Sequence, residues 1–203
     1  MTNIMNAIFK NVFYTIFFNQ KKRLFAEKDE IKVSTWVLKN ELSAEKRKAY
    51  AESVFSKIEE MKEFKNARRV LFYWSSHNDL PTYDYIMKWN ETKTILLPKV
   101  RNNKIHLKKF VGIQPITEEE ALNFEPKTEN YEGGVDLAII PAIAFDKNKY
   151  RMGQGKGYYC KFFKFKSVKT IGVGYDFQII DNVPSYWRDL SVDTVITPSG
   201  TIS

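Results

Sequence analysis

The sequence predicts a single three-layer α/β/α domain built on a largely parallel, mixed sheet. Three observations lead there. Apolar runs bounded by turn signals recur through the second two-thirds of the chain, as "RRVLFYWS", "TKTILLPKV", "KIHLKKF", "VDLAIIPAIAF", "KTIGVGYD" and "DTVITP", and such runs read as strands. Several are continuously apolar, which marks strands covered on both faces. Helical candidates lie between some of them, at Tyr83 to Trp89, Thr117 to Leu122 and Gly157 to Phe163, and that alternation gives a Rossmann-like layering. A chain of 203 residues that is 43% hydrophobic buries one core, so one domain is expected.

Residues 1–25 stand apart as an apolar and basic extension. An aromatic-rich run from Ile4 to Phe18 is interrupted by Lys10 and Asn11 and followed by Lys21, Lys22 and Arg23. It is too short and broken for a membrane span, and it lacks the basic start and small-residue cleavage site of a secretory signal. Two readings stay open: a poorly ordered or wrongly included extension, or an amphipathic segment lying on a membrane or partner.

The α/β domain takes residues 26–203. From Lys28 to about Lys65 the chain reads as two helices. Ala51, Val54, Phe55, Ile58 and Met61 recur at three- and four-residue spacing and form an apolar stripe. Ser43 is the N-cap that starts the second helix near Ala44, and with Lys46 at the N3 position no capping box forms.

Cys160 is the one cysteine, so no internal disulfide framework exists, and His77 and His106 are too few soft ligands for a zinc cluster. A reducing, cytoplasmic setting fits. The net charge is +8, and residues 1–70 carry 15 Lys/Arg against 9 Asp/Glu while the remainder carries 17 against 15. The basic excess is therefore N-terminal, and it favours an anionic partner: nucleic acid, a membrane surface or a phosphorylated small molecule. Nucleic acid is the weakest of these, because no recognition motif is present and the basic residues are interspersed with acidic ones.

The informative stretch is "YRMGQGKGYYCKFF", residues 150–163, which places Gly153, Gly155 and Gly157 at alternate positions around Lys156. Alternate glycines lack Cβ atoms and permit positive φ, so backbone N–H groups can converge on an anion. Lys156 and Arg151 supply charged donors, and a helix starting near Gly157 adds a favourable field. The spacing matches neither the Walker pattern nor the dinucleotide fingerprint. A tight strand-to-helix connection with a solvated lysine would also explain it. Tyr158 and Tyr159 offer ring faces and hydroxyls beside the anion, or pack against the core.

The longer run "DLAIIPAIAFDKNKYRMGQGKGYYCKFF" resembles the signature of the 5-formyltetrahydrofolate cyclo-ligase family, also called methenyltetrahydrofolate synthetase. Other parts recur in the family's order: Lys28 and Lys32 four apart, "LSAEKR", "FYWS" followed by "DLPT", "LPKV", Glu125–Pro126 and "YWRDLSVDTVIT". The resemblance runs from about residue 28 to the end. It implies an enzyme of one-carbon metabolism that uses ATP as co-substrate and Mg²⁺ to convert 5-formyltetrahydrofolate into 5,10-methenyltetrahydrofolate, releasing ADP and phosphate. Such a reaction needs alignment and cations around the transferring group more than a protein nucleophile.

Carried over by position, the resemblance implies that ATP is held by Lys28, Lys32, Arg151, Met152, Gly153, Gln154, Gly155, Lys156, Gly157, Tyr158 and Tyr159. Lys156 and Tyr159 are the catalytic groups. Trp74, Asp79, Gln154 and Tyr158 receive the reduced folate, and Asp189 is a magnesium ligand. The implied partners are ATP and a reduced folate, with no nucleic acid, no membrane span and a monomeric state. Three departures matter. Cys160 stands where the family has its second magnesium carboxylate, and a thiol is a poor ligand for that ion. Asp79 replaces glutamate, and Lys32 replaces an arginine fork. A diverged folate- or nucleotide-binding paralogue without magnesium chemistry is the alternative.

Overall fold

The computed structural model describes residues 2–112, 124, 126–164, 166–184 and 190–203, with side chains from residue 19 onward. The helical candidate at Thr117 to Leu122 lies outside them. In chain order the helices are α1 (Thr2–Asn40), α2 (Ala44–Glu60), α3 (Lys62–Asn66), α4 (Tyr83–Asn90) and α5 (Tyr158–Phe163). The strands are β1 (Arg69–Leu71), β2 (Thr94–Arg101), β3 (Lys104–Lys109), β4 (Leu137–Pro141), β5 (Ala144–Asp146), β6 (Arg151–Met152), β7 (Lys169–Val173), β8 (Ile179–Ile180), β9 (Thr194–Ile196) and β10 (Thr201–Ile202).

α1 runs through residue 25, so the boundary drawn there falls inside one continuous helix. α2 starts at the predicted cap, with Ser43 Oγ accepting from the Lys46 N–H at 3.2 Å, and it buries Ala51, Val54, Phe55 and Ile58. The second helix does not continue unbroken to Lys65. Met61 takes extended angles (φ −66°, ψ 138°), and α3 starts after it with Phe64 buried in ring contact with Trp89, 4.4 Å between centroids. Lys93 Nζ then donates to the Phe64 and Ala67 carbonyls at 2.9 and 2.8 Å and satisfies the end of α3.

The main sheet has the order β10-β9-β7-β4-β1-β2-β3. Its five central strands are parallel, and antiparallel β10 and β3 close the two edges. The β2–β3 hairpin turns through Asn102 and Asn103, at φ 51° and 58°, the geometry of a two-residue primed turn.

Side chains alternate across the sheet, as period 2 requires. Val70, Ile95, Leu97, Leu137, Ile139, Ile171 and Val173 join one core with Phe55, Ile58 and Trp89 of the helices. Leu71, Leu96, Ala138, Ile140 and Val195 join a second core with Phe145 and Phe163. Both faces of the sheet are therefore covered, as the apolar runs predict.

"VDLAIIPAIAF" is not one strand. The main-sheet strand ends at Pro141, and β5 restarts at Ala144 in a second sheet of order β6-β5-β8. At the break the amide of Gln178 donates to the Ala142 and Ile143 carbonyls at 2.7 and 3.0 Å. The layer over the second face is thus α5 together with this small sheet. "RRVLFYWS" likewise contributes only Arg69–Leu71 as strand, and its later residues turn toward the carboxyl end of the sheet.

Candidate active site

The glycine loop follows the β5–β6 hairpin, whose turn is organised from inside by Asp146. That carboxylate is fully buried and accepts from the backbone N–H groups of Asn148 (2.9 Å), Tyr150 (3.0 Å) and Val183 (3.0 Å). Asp146 carries no site role in the sequence reading, and its place directly before the turn is the signal that could have found it. β6 pairs with β5 through Ala144↔Met152, so the loop leaves from a fixed point and enters α5 at Tyr158.

The spacing of the glycines has a physical origin. Gly155 and Gly157 adopt φ 96° and 66°, which side-chain-bearing residues resist. At Gly153 an added Cβ would fall 2.5 Å from Arg151 Nη1.

A cleft of about 720 Å³ opens between this loop and α1, within the range of small-molecule sites. Lys28 and Lys32 from α1 and the whole run Arg151 to Tyr159 line it, so every residue assigned to the nucleotide meets in one place. Lys32 Nζ pairs with Asp29 at 2.8 Å and stands 4.0 Å from the point where a Cβ would project from Gly155. The sequence reading missed Lys21, Leu24 and Phe25, which also line the cleft. Phe25 is 54% exposed, with Lys21 Nζ 5.8 Å from its ring centroid. Lysine and arginine face the space from both walls, and no carboxylate is among its described lining residues. Such a lining suits an anionic ligand.

Arg151 is buried and serves the frame as well as the cleft. Its Nε donates to the Pro141 carbonyl at 2.6 Å, tying the end of β4 to β6, and its guanidinium carbon lies 4.8 Å from the Tyr159 ring centroid. Burial pushes the Tyr159 hydroxyl up to about 12; the Arg151 charge works against this and the Asp79 charge adds to it. Tyr159 is therefore a neutral donor at physiological pH.

Gln154 and Tyr158, assigned to the folate, line the cleft; Trp74 and Asp79 do not. Trp74 stands in an aromatic wall with Phe124, Tyr83 and Phe110, at 4.5, 5.7 and 6.0 Å between centroids. Asp79 lies deeper. Its Oδ1 accepts from Lys39 Nζ at 2.7 Å and its Oδ2 from Ser76 Oγ at 2.6 Å. Burial first and the Asp79 charge second push the hydroxyls of Tyr73 and Tyr175 upward, which puts this carboxylate electrostatically within reach of Tyr73, Tyr159 and Tyr175.

The described residues do not by themselves assemble a protein-held magnesium site. Among the described residues no group of three or more His, Cys, Asp or Glu side chains could hold a metal. Cys160 is at the cleft wall with a thiol, a soft ligand ill-suited to a hard cation. Asp189 lies outside the described residues. No helix among the described residues is long and apolar enough to cross a membrane.

A family model described as the 5-formyltetrahydrofolate cyclo-ligase family matches residues 25–198. A probable 5-formyltetrahydrofolate cyclo-ligase of Caenorhabditis elegans is 28% identical, the alignment covering 86% of this chain and 94% of that protein. The 5-formyltetrahydrofolate cyclo-ligase of Mus musculus is 26% identical over 76% of this chain and 85% of its own. The solved structure of Aquifex aeolicus 5,10-methenyltetrahydrofolate synthetase matches with a TM-score of 0.73 at 28% identity, over 86% of this chain and 91% of that one. A Mycoplasma pneumoniae 5,10-methenyltetrahydrofolate synthetase, 20% identical over 84% of this chain and 98% of its own, shares the fold with a TM-score of 0.69.

Proposed function

The chain belongs to the 5-formyltetrahydrofolate cyclo-ligase family, and from that membership we propose that it is an ATP-dependent ligase that closes 5-formyltetrahydrofolate to 5,10-methenyltetrahydrofolate. In this reading the formyl oxygen attacks the γ-phosphorus and ADP leaves. N10 then adds to the activated formyl carbon and loses its proton, and the oxygen departs as phosphate. The N5–C–N10 bridge remains.

The protein's part is alignment and charge. The N–H groups around Gly153, Gly155 and Gly157 cradle the phosphates, with Lys28, Lys32 and Arg151 neutralising them. Met152 and Gln154 complete the wall of the cleft. Lys156, exposed at the tip of the loop, follows the transferring group, and the neutral Tyr159 hydroxyl donates to its oxygens. Tyr158 faces the junction of the two substrates. Trp74 supplies an aromatic surface for the pterin, and Asp79 accepts from its amino and ring N–H edge. Mg²⁺ belongs to the proposal as the counter-ion of the triphosphate, dependent on phosphate oxygens, water and Asp189.

One observation carries the reading: lysines of α1 and the glycine loop, far apart in sequence, converge on a single cleft with no carboxylate among its described lining residues. The test follows methenyltetrahydrofolate absorbance with 5-formyltetrahydrofolate as substrate. Formation that requires both ATP and Mg²⁺, with one ADP per product, is the expected result. Product formation independent of ATP, or ATP hydrolysis without folate turnover, would overturn it.

A further inference from the structure

We propose that Lys39 is a positioning residue for the folate, holding the Asp79 carboxylate in the orientation that receives the pterin. The inference rests on the reading that Asp79 is the pterin's acceptor. It adds a residue that neither the glycine loop nor the lysine pair of the nucleotide cleft includes.

Lys39 is 8% exposed, in the last turn of α1. Lysines are almost never buried unless paired, and Lys39 Nζ lies 2.7 Å from Asp79 Oδ1 with the two side chains 10% and 25% exposed. Such a pair is shielded from water, unlike an exposed bridge, and loss of one partner leaves the other without its counter-charge. A second tie accompanies it: Asn78 Nδ2 donates to Asn40 Oδ1 at 2.8 Å. The end of α1 therefore grips residues 78 and 79 together.

The geometry leaves Asp79 usable. Oδ1 takes Lys39, Oδ2 takes Ser76 Oγ at 2.6 Å, and each carboxylate oxygen has a further acceptor direction. A bidentate donor edge, such as the amino and ring N–H groups of a pterin, meets both oxygens at once if the carboxylate plane is fixed. Lys39 fixes it from one side and Ser76 from the other. With Lys39 removed, Asp79 keeps its Ser76 contacts among the described residues and turns toward water. The same helix carries Lys32 seven residues earlier, about 10 Å along the axis, so one rigid element bears on both substrates.

The test is calorimetric titration of the full chain with 5-formyltetrahydrofolate and, separately, with ATP, using Lys39→Met, Lys39→Arg, Asp79→Asn and the double variant Lys39→Met/Asp79→Asn. Thermal denaturation checks that each is folded. Lys39→Met is expected to weaken folate binding about tenfold, the scale of a lost charge-assisted bond, and to leave ATP affinity within about twofold. Lys39→Arg, which keeps the charge, should restore folate affinity to within about threefold. In the Asp79→Asn background Lys39→Met should have no further effect, the signature of one coupled unit. Wild-type folate affinity in Lys39→Met beside a weakened Asp79→Asn would overturn the inference alone. Equal losses for both ligands, or additive losses in the double variant, would do the same. No loss in Asp79→Asn would overturn the acceptor role of Asp79 and the inference with it, and no folate binding by the wild-type protein would overturn the functional reading as well.

Discussion

The Arg151 guanidinium carbon lies 4.8 Å from the ring centroid of Tyr159, while Nε of the same side chain donates to the Pro141 carbonyl at 2.6 Å. One side chain thus links the end of a central strand, the start of the glycine loop and the first turn of α5. Arg151→Met should cost roughly 2 kcal/mol of stability, from the unpaired carbonyl and the lost ring contact, readable by urea denaturation. It should also raise the KM for ATP by about tenfold or more. Unchanged ATP kinetics would assign Arg151 to the frame alone.

Gly155 holds φ 96° next to Lys32 Nζ. Gly155→Ala should cost about 1–2 kcal/mol through backbone strain and raise the KM for ATP with little effect on the KM for folate. Gly200 is the control, because an added Cβ there meets nothing within 4 Å. If Gly155→Ala and Gly200→Ala behave alike in steady-state kinetics, the loop conformation is not part of nucleotide binding.

Cys160 borders the cleft where the family resemblance expects a carboxylate. Cys160→Asp supplies a hard oxygen, so the Mg²⁺ concentration needed for half-maximal ATP-dependent turnover should fall by about tenfold. A titration of rate against Mg²⁺ that does not shift would show that position 160 lies outside the ion's reach.

Asp136 gives a pH prediction. Hydrogen bonds from the Arg69 side chain, helped by the backbone N–H groups of Arg69 and Arg68 and opposed by burial, lower its carboxyl from 3.8 to about 2. A depressed folded value stabilises the fold above the unfolded value, and that stabilisation disappears as pH falls through the folded one. The wild-type protein should therefore lose stability between about pH 4 and pH 2 faster than Asp136→Asn does. The two urea midpoints should converge near pH 2. Parallel curves across that window would mean that the Arg69 pair contributes nothing to stability.

The sheet was legible because its strands are buried on both faces: "DLAIIP" and "TILLP" announce themselves by apolar continuity, and Ser43 marks the start of α2 with a side-chain hydrogen bond. The small second sheet was not legible. At its start Gln178 reaches back to Ala142 and Ile143, a pairing across about 35 positions that no local pattern encodes. The glycine loop was readable because its spacing is a local requirement of the backbone, met by the positive φ of Gly155 and Gly157. Lys39 was hidden for the opposite reason: on a helix it reads as a solvated cation, and only the placement of Asp79 beside it makes it a buried one.

The loop at residues 153–157 begins at a paired strand residue, Met152, and ends at the first residue of α5. A span clamped at both ends has no slack, so an insertion or deletion there would displace the hairpin or the helix. The Asn102–Asn103 turn is also flanked by paired residues, Arg101↔Lys104, but it joins two adjacent strands at an exposed sheet edge, so a longer tip extends into solvent without displacing either strand. Length variation among descendants of this chain should therefore collect at that tip and be purged from the loop, and a reporter group grafted into the protein belongs at the former.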